Sequence, residues 1–467
     1  MIKLVIDSIV ESTLHAAFPK PAKSAHNAIT KYVKTLERFL NMSELRGITP
    51  ENFRLNTYSV ALKRFREKTP QIGSNKIKVH VWLTDNNLKL LQTVRKGSKF
   101  GDNKGISIVK PTSLVTVIDI DERLEPEEAF ARLHPKFPKS AKKINADYDC
   151  SPVDIVSLNN YIETFNNGNR LNNKQKSAVI QAKRIVAAAL YKNGVFYQKK
   201  KLSNFGRIYY TGLSVQNISK KTREAMLGDC YEYDMKSSVV AWKLGYAQTY
   251  LDDNNLTHSV KDEFPQCYQY WNDKTVSIDD IRKGVFKHPS APAKSDEKQI
   301  KLIKQAMTAF NFGAKRSAGY VDKLGCTQEQ AIGKILKHKL ESASFLSHQR
   351  VIGYVEEQKR LNATITNLVK INTPQLLTDP ILLTEKGNLR PQSLLSYLYQ
   401  NAETEVMNIV REYANTHNLT VLANIHDAII FKDPLDPTLQ QLITQEIHTR
   451  TGNTYWELNE TKLNRTP

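Results

Sequence analysis

The sequence predicts an α+β protein, on three observations. Two short runs with strand character, CYEYDM (230–235) and the apolar flanks of LTVLANIHDAIIF (419–431), each deliver one aspartate, Asp234 and Asp427. Several longer stretches carry apolar residues at the spacing of an amphipathic helix. The 467 residues are 40% hydrophobic, enough for packed cores, and at roughly 150 residues per domain correspond to about three domains or one multi-lobed enzyme.

The bulk charge narrows the partners. The chain has 67 Lys+Arg against 47 Asp+Glu, a net charge of +20, which points to DNA, RNA or an anionic surface. No apolar run reaches the ~20 residues of a membrane span, so no membrane partner is expected. The opening MIKLVIDSIVESTLHAAFPK is broken by Asp7 and Glu11 and reads as a helix rather than a signal peptide. Cys150, Cys230, Cys267 and Cys326 lie far apart with no CxxC pair. That speaks against a structural zinc site or a disulfide framework and fits a reducing cytoplasm.

Taken in order, HNAITKYVKTLERFLNM (26–42) has helical spacing, KIKVHVWL (76–83) alternates like a strand, and PTSLVTVIDIDERL (111–124) is a second strand candidate ending in acids. Residues 126–145, with their prolines and lysines, read as a linker or basic surface. Two helices are expected in 151–198, the second lysine-rich on one side, followed by Lys199, Lys200 and Lys201. KHPSAPAKS (287–295) is a loop, and Asp296 is placed to cap a helix that runs to about Phe312, where Gly313 interrupts it.

Five segments can carry chemistry. In CYEYDMKSSVVAW (230–242) a strand delivers Asp234 and then turns into a buried helix. By itself such an aspartate is more often a helix cap. In LTVLANIHDAIIF, His426 and Asp427 sit at the tip of a hairpin. The tip has no glycine, so a tight two-residue turn there is strained. A carboxylate held between apolar strands needs a counter-charge, which a salt bridge or a divalent metal supplies. On the helix of DEKQIKLIKQAMTAFNFGAKRSAGY (296–320), Lys304, Thr308 and Phe312 share a face, with Lys301 a turn earlier. A lysine on such a face can hold triphosphate, an aromatic can stack on a base, and Gly313 allows close backbone approach; an ordinary amphipathic helix has the same pattern. NFGRIYYTGLSVQNISKKTREAML (204–227) offers Arg207, Gln216 and Asn217 to a nucleic-acid backbone, or is only a basic loop. SLLSYLYQNAETEVMNIVREYA (393–414) is an amphipathic helix whose Tyr399 and Gln400 can face the same cleft. Two strand-borne aspartates with a lysine-bearing helix between them in sequence meet the requirement of two-metal phosphoryl transfer.

Together these segments resemble the palm and fingers of family A DNA polymerases and the related phage-type single-subunit RNA polymerases. YEYDMKSS is similar to their motif A, KQAMTAFNFG to motif B and NIHDAII to motif C; GRIYYTGLSVQNI and YLYQNAETEV are similar to the segments that precede motifs A and C. The likeness covers about residues 200–460, and residues 1–150 match nothing. It implies a right-hand fold with an antiparallel palm sheet (202–245 and 390–467) and helical fingers (246–389); beside it a helical thumb-like region (146–201) and a separate N-terminal template- or partner-binding domain (1–145) are expected. It implies that Asp234 and Asp427 bind two Mg²⁺ ions, with Mn²⁺ as the alternative. Lys304 would meet the triphosphate and act as general acid, with Lys301, Thr308, Phe312, Gly313 and Val239 around the nucleotide. Arg207, Gln216, Asn217, Tyr399, Gln400 and His426 would meet template or primer. The implied partners are a DNA template, an RNA or DNA product strand, nucleoside triphosphates and a protein subunit, in the cytoplasm of a bacterial host if the gene is carried by a phage or plasmid.

The chain departs from the family where it selects the sugar. Val239 stands where many of the DNA polymerases have glutamate and the RNA polymerases glycine; Phe312 replaces the motif B tyrosine, and Tyr399 stands where RNA polymerases tend to have histidine. The balance leans to RNA synthesis, with a DNA polymerase for phage or plasmid replication as the alternative. Two other readings stand beside it. Asp119 and Asp121 share one face of a strand, as in primase-polymerases and some nucleases, although His134 is a poor partner for them. A non-catalytic replication initiator explains the charge but not the paired aspartates.

Overall fold

The computed structural model describes residues 2–19, 22–46, 57–72, 75–96, 105–119, 125–165, 171–203, 207–288, 293–321, 327–385, 387–425 and 427–464. Asp121, Cys326 and His426 lie outside the described residues. The chain forms two compact units. One comprises 1–201, 210–229 and 463–467; the other comprises 202–209 and 230–462.

In the first unit the strand Ile2–Ile6 pairs antiparallel with Val115–Asp119. Tyr58–Val60, Ser107–Pro111 and Leu91–Arg95 form a second antiparallel sheet. The helix Ala22–Arg46 supplies Ile29, Tyr32, Leu36 and Leu40 to a core shared with Val10, Phe65, Val79 and Trp82. Further along, Tyr148–Pro152 pairs antiparallel with Val195–Leu202 around the helices Ile155–Glu163 and Asn173–Tyr191.

Several sequence expectations are corrected here. The N-terminus is a strand before it is a helix, because Ile2, Leu4 and Ile6 alternate and Asp7 then caps the helix Ser8–Ala17 through Ile9 N. KIKVHVWL is a strand only at Ile77–Lys78; Val79, Trp82 and Leu83 are buried at helical spacing in Val79–Asp85. Residues 126–145 are not a linker: proline at the first helical position starts Pro126–Leu133, and Ala141–Asp147 follows. The 146–201 segment, expected as helical, has strands on both sides of its helices.

The second unit is built on a four-stranded sheet in the order Val421–Ile425, Ala428–Phe431, Cys230–Met235, Leu458–Leu463. Both Val421–Ile425 and Cys230–Met235 run antiparallel to Ala428–Phe431. Tyr233 and Met235 point into a large core with Trp242, Phe310, Phe345, Tyr354 and Trp456, so Asp234 points to the opposite face. Around this core pack the helices Ser238–Asp253, Lys274–Val285, Asp296–Asn311, Gln349–Asn372 and Pro391–Thr416. Burial of Ile303, Ala306, Met307 and Phe310 on Asp296–Asn311 turns Lys301, Lys304 and Thr308 outward. Ser295, not Asp296, caps that helix, its side chain accepting from Lys298 N, while Asp296 pairs with Arg282 at 2.9 Å.

Candidate active site

Strand register brings the two aspartates together. Asp234 lies opposite Ala428, so it neighbours Asp427, the residue before it. The pairing Ile425↔Ala428 places Asp427 directly before the second strand of this antiparallel pair. After Asp234 the chain turns through Ser237, which takes a left-handed conformation (φ 46°), and enters the helix Ser238–Asp253. A non-glycine residue at positive φ is uncommon, and here it reverses the chain directly behind the carboxylate. Lys236 holds the turn from outside, its N–H on Glu457 O and its Nζ 2.7 Å from Glu457 Oε2.

The charge of Asp427 reaches the Asp234 carboxyl, and so does that of Lys274. Asn459 Nδ2 donates to Asp234 Oδ1 at 3.1 Å, and among the described residues neither Asp234 nor Asp427 has a lysine or arginine within ion-pair distance. Burial, followed by the charges of Asp427 and Glu232, holds the Asp234 carboxyl above its ordinary range, against the opposing effects of Asn459 and Lys274. Among the described residues no group of three or more His, Cys, Asp and Glu side chains gathers as a metal cage. Two adjacent carboxylates nevertheless form a hard-oxygen donor pair, and that chemistry suits Mg²⁺ or Mn²⁺.

A lysine that sequence reasoning missed comes to this cluster, and Lys304 lies close enough to it for the two charges to repel. Lys274, first residue of Lys274–Val285, is partly buried with its Nζ 5.4 Å from the Tyr270 ring. Burial, and then repulsion from Lys304, lower its pKa, while Asp234 raises it. Nothing in DKTVS signals this, because the approach depends on how helices far apart in sequence pack. Lys301 and Thr308 share the exposed side of the Lys304 helix; Thr308 Oγ1 donates back to Lys304 O at 2.8 Å.

Behind the aspartates lies a buried network. Arg207 pairs with Glu403, whose side chain is 0% exposed, and its guanidinium carbon lies 5.4 Å from the Tyr399 ring. The Tyr399 hydroxyl donates to Glu403 Oε1 and lies 2.8 Å from Ser238 Oγ. Phe312, half exposed, packs edge-on against Tyr399 at 6.2 Å. Val239, Trp242, Phe312 and Tyr399 line a small cavity here. Burial pushes the Glu403 carboxyl up, Arg207 and the Tyr399 hydroxyl pull it down, and the charge of Asp427 raises it again. Glu403 had a sequence signal: it occupies a core position beside Tyr399, Val406, Met407 and Val410 on Pro391–Thr416. Tyr399 is buried rather than open to the cleft, and Gln400 is partly buried.

No family model and no curated protein sequence matches the chain. Among solved structures, the POL domain of Pol1 from M. smegmatis, in complex with DNA primer-template and dNTP, matches with a TM-score of 0.38 and 11% identity over 73% of this chain. The match spans 64% of that chain, less than two thirds of its length. A likeness of this depth leaves fold and activity to be argued from the chain's own residues.

Gln216 and Asn217 belong to the first unit, where Asn217 ties a turn: its Nδ2 donates to Gly212 O and its Oδ1 accepts from Ser214 N. Asp119 ends a strand of that same unit. His134 is buried among Phe130, Phe137 and Tyr148, and burial lowers its pKa to about 4, so it stays neutral at physiological pH. No disulfide joins the described cysteines Cys150, Cys230 and Cys267, and no described helix is long and apolar enough to cross a membrane.

Proposed function

We propose that the chain is a template-directed nucleotidyltransferase that extends a nucleic-acid strand and releases pyrophosphate. One observation carries the reading: paired central strands set Asp234 beside Asp427, and among the described residues no lysine or arginine is in ion-pair contact with either. Asp234 and Asp427 would hold the two divalent ions. When bound, such ions activate the attacking 3′-hydroxyl and neutralise charge on the leaving pyrophosphate.

Lys274 and Lys304 would take the triphosphate, since Lys274 is close enough to act on Asp234 and the two lysines repel one another until an anion lies between them. Lys304 would give its proton to the departing pyrophosphate. Phe312, just past the end of the Lys304 helix and half exposed, would present a ring to the incoming base. Arg207 supports the site through Glu403 and Tyr399. A direct contact of Arg207 with template or primer is a second role, as are contacts from Gln400, His426, Gln216 and Asn217.

The product is read as RNA. Val239 offers no carboxylate to exclude a ribose 2′-hydroxyl, and the Tyr399 hydroxyl beside it is already committed to Ser238 and Glu403. Extension of a labelled primer with Mg²⁺, supplying NTPs and dNTPs in separate reactions, tests this. Faster incorporation of NTPs is expected; incorporation of dNTPs alone would reassign the product as DNA.

A further inference from the structure

Lys243 is among the largest fully buried side chains of the protein, 1% exposed, and no described carboxylate lies within ion-pair distance of it. A buried ammonium without a counter-ion is costly and persists only when something uses it. Its Nζ donates to Gln358 Oε1 at 2.5 Å and to Asn311 O at 3.2 Å.

Asn311 is the last residue of the Lys304 helix, and the helix end leaves its carbonyl in need of a donor. Gly313, left-handed at φ 80°, closes a Schellman cap: Gly313 N donates to Phe310 O and Ala314 N to Ala309 O. Those bonds satisfy the preceding carbonyls, and Lys243 takes that of Asn311, at the negative end of the helix dipole. Tyr354 fixes the same residue by donating its hydroxyl to Asn311 Oδ1. Phe312, the next residue, lines the small cavity together with Lys243, Asn311 and Tyr399.

We infer that Lys243 is a positioning residue: from inside the core it fixes the C-terminal end of the Lys304 helix, and thereby Phe312, for the incoming nucleotide. The inference rests on the polymerase reading for its substrate but not for its geometry. Burial lowers the pKa of Lys243 to about 8, Cys267 opposing, so the ammonium still carries its proton at neutral pH. The other ionisable groups in this core are held in neutral or bonded states. Glu357 accepts from Gln266 N and Cys267 N, burial pushes Cys267 and Tyr354 up, and Tyr270 is raised the same way.

The test is Lys243→Met, which keeps the stem and removes the charge, beside Lys243→Gln, which keeps a donor. Three readouts are taken: nucleotide KM in primer extension, amide exchange along 304–313, and the urea midpoint. Expected for Lys243→Met are a KM roughly five- to tenfold higher, exchange at 308–313 about tenfold faster, and a midpoint no lower than wild type, with partial recovery in Lys243→Gln. Unchanged KM and unchanged exchange would overturn the inference. So would a lower midpoint with activity falling in proportion, which would make Lys243 merely structural. If the wild-type chain incorporates no nucleotide but exchange at 308–313 still rises locally, the polymerase reading fails while the positioning role stands.

Discussion

Replacing Arg207 by methionine should destabilise the second unit far more than the loss of a surface charge. Glu403 is 0% exposed and Arg207 is its cation. Removing one partner of a buried pair leaves an uncompensated charge and costs about 3–5 kcal/mol. Glu403→Gln should cost less, about 1–2 kcal/mol, because Arg207 is 17% exposed and can recruit water, while Tyr399 keeps a partner. The double variant should then be more stable than the sum of the singles predicts, with a coupling of about 2 kcal/mol. The sign of the pH effect also follows. Arg207 pulls the Glu403 carboxyl down, so without it Glu403 takes up a proton more readily and the Arg207→Met deficit shrinks as pH falls. Urea unfolding of the four proteins at pH 7.5 and at acid pH reads all of this. A cost for Arg207→Met below about 1 kcal/mol, or a coupling near zero, would refute the assignment of the network as a charged, desolvated support.

Three further outcomes follow from the site. Asp234→Asn should raise the urea midpoint at neutral pH while abolishing incorporation: a carboxyl whose folded pKa is raised loses stability as pH rises through the window above its ordinary value, and the amide removes that penalty; an unchanged or lower midpoint would contradict it. Mg²⁺ at ten times its dissociation constant should stabilise wild type by about 1.4 kcal/mol and Asp234→Asn by much less, measured by thermal unfolding; equal shifts would remove the metal from this pair. Lys274→Ala should raise nucleotide KM about tenfold with template affinity unchanged, whereas Lys301→Ala should stay within about twofold; the reverse order would return the second cation to the exposed helix face.

How much of this was legible in the sequence divides along contact range. Asp234 and Asp427 were readable because strand alternation and a short apolar hairpin are local patterns, and the register then set them side by side. The outward face of Lys301, Lys304 and Thr308 was readable from helical periodicity. Lys274, Lys243 and the Arg207–Glu403 pair were not, because each acquires its meaning from an element about 30 to nearly 200 residues away. Glu403 alone left a trace, an acid at a core position. The N-terminal misreadings have a local cause: in short apolar runs such as IKLVI and VHVW, period 2 and period 3.6 are hard to separate.

We propose that Asp234 and Asp427 together catalyse templated nucleotide addition. The most direct measurement is incorporation on two templates that differ only in the first unpaired base, using wild type, Asp234→Asn and Asp427→Asn, with DNA binding measured alongside. Wild type is expected to add the nucleotide complementary to each template, and both variants to bind DNA as wild type does yet add none. Template-independent addition, or addition that survives either substitution, would contradict it.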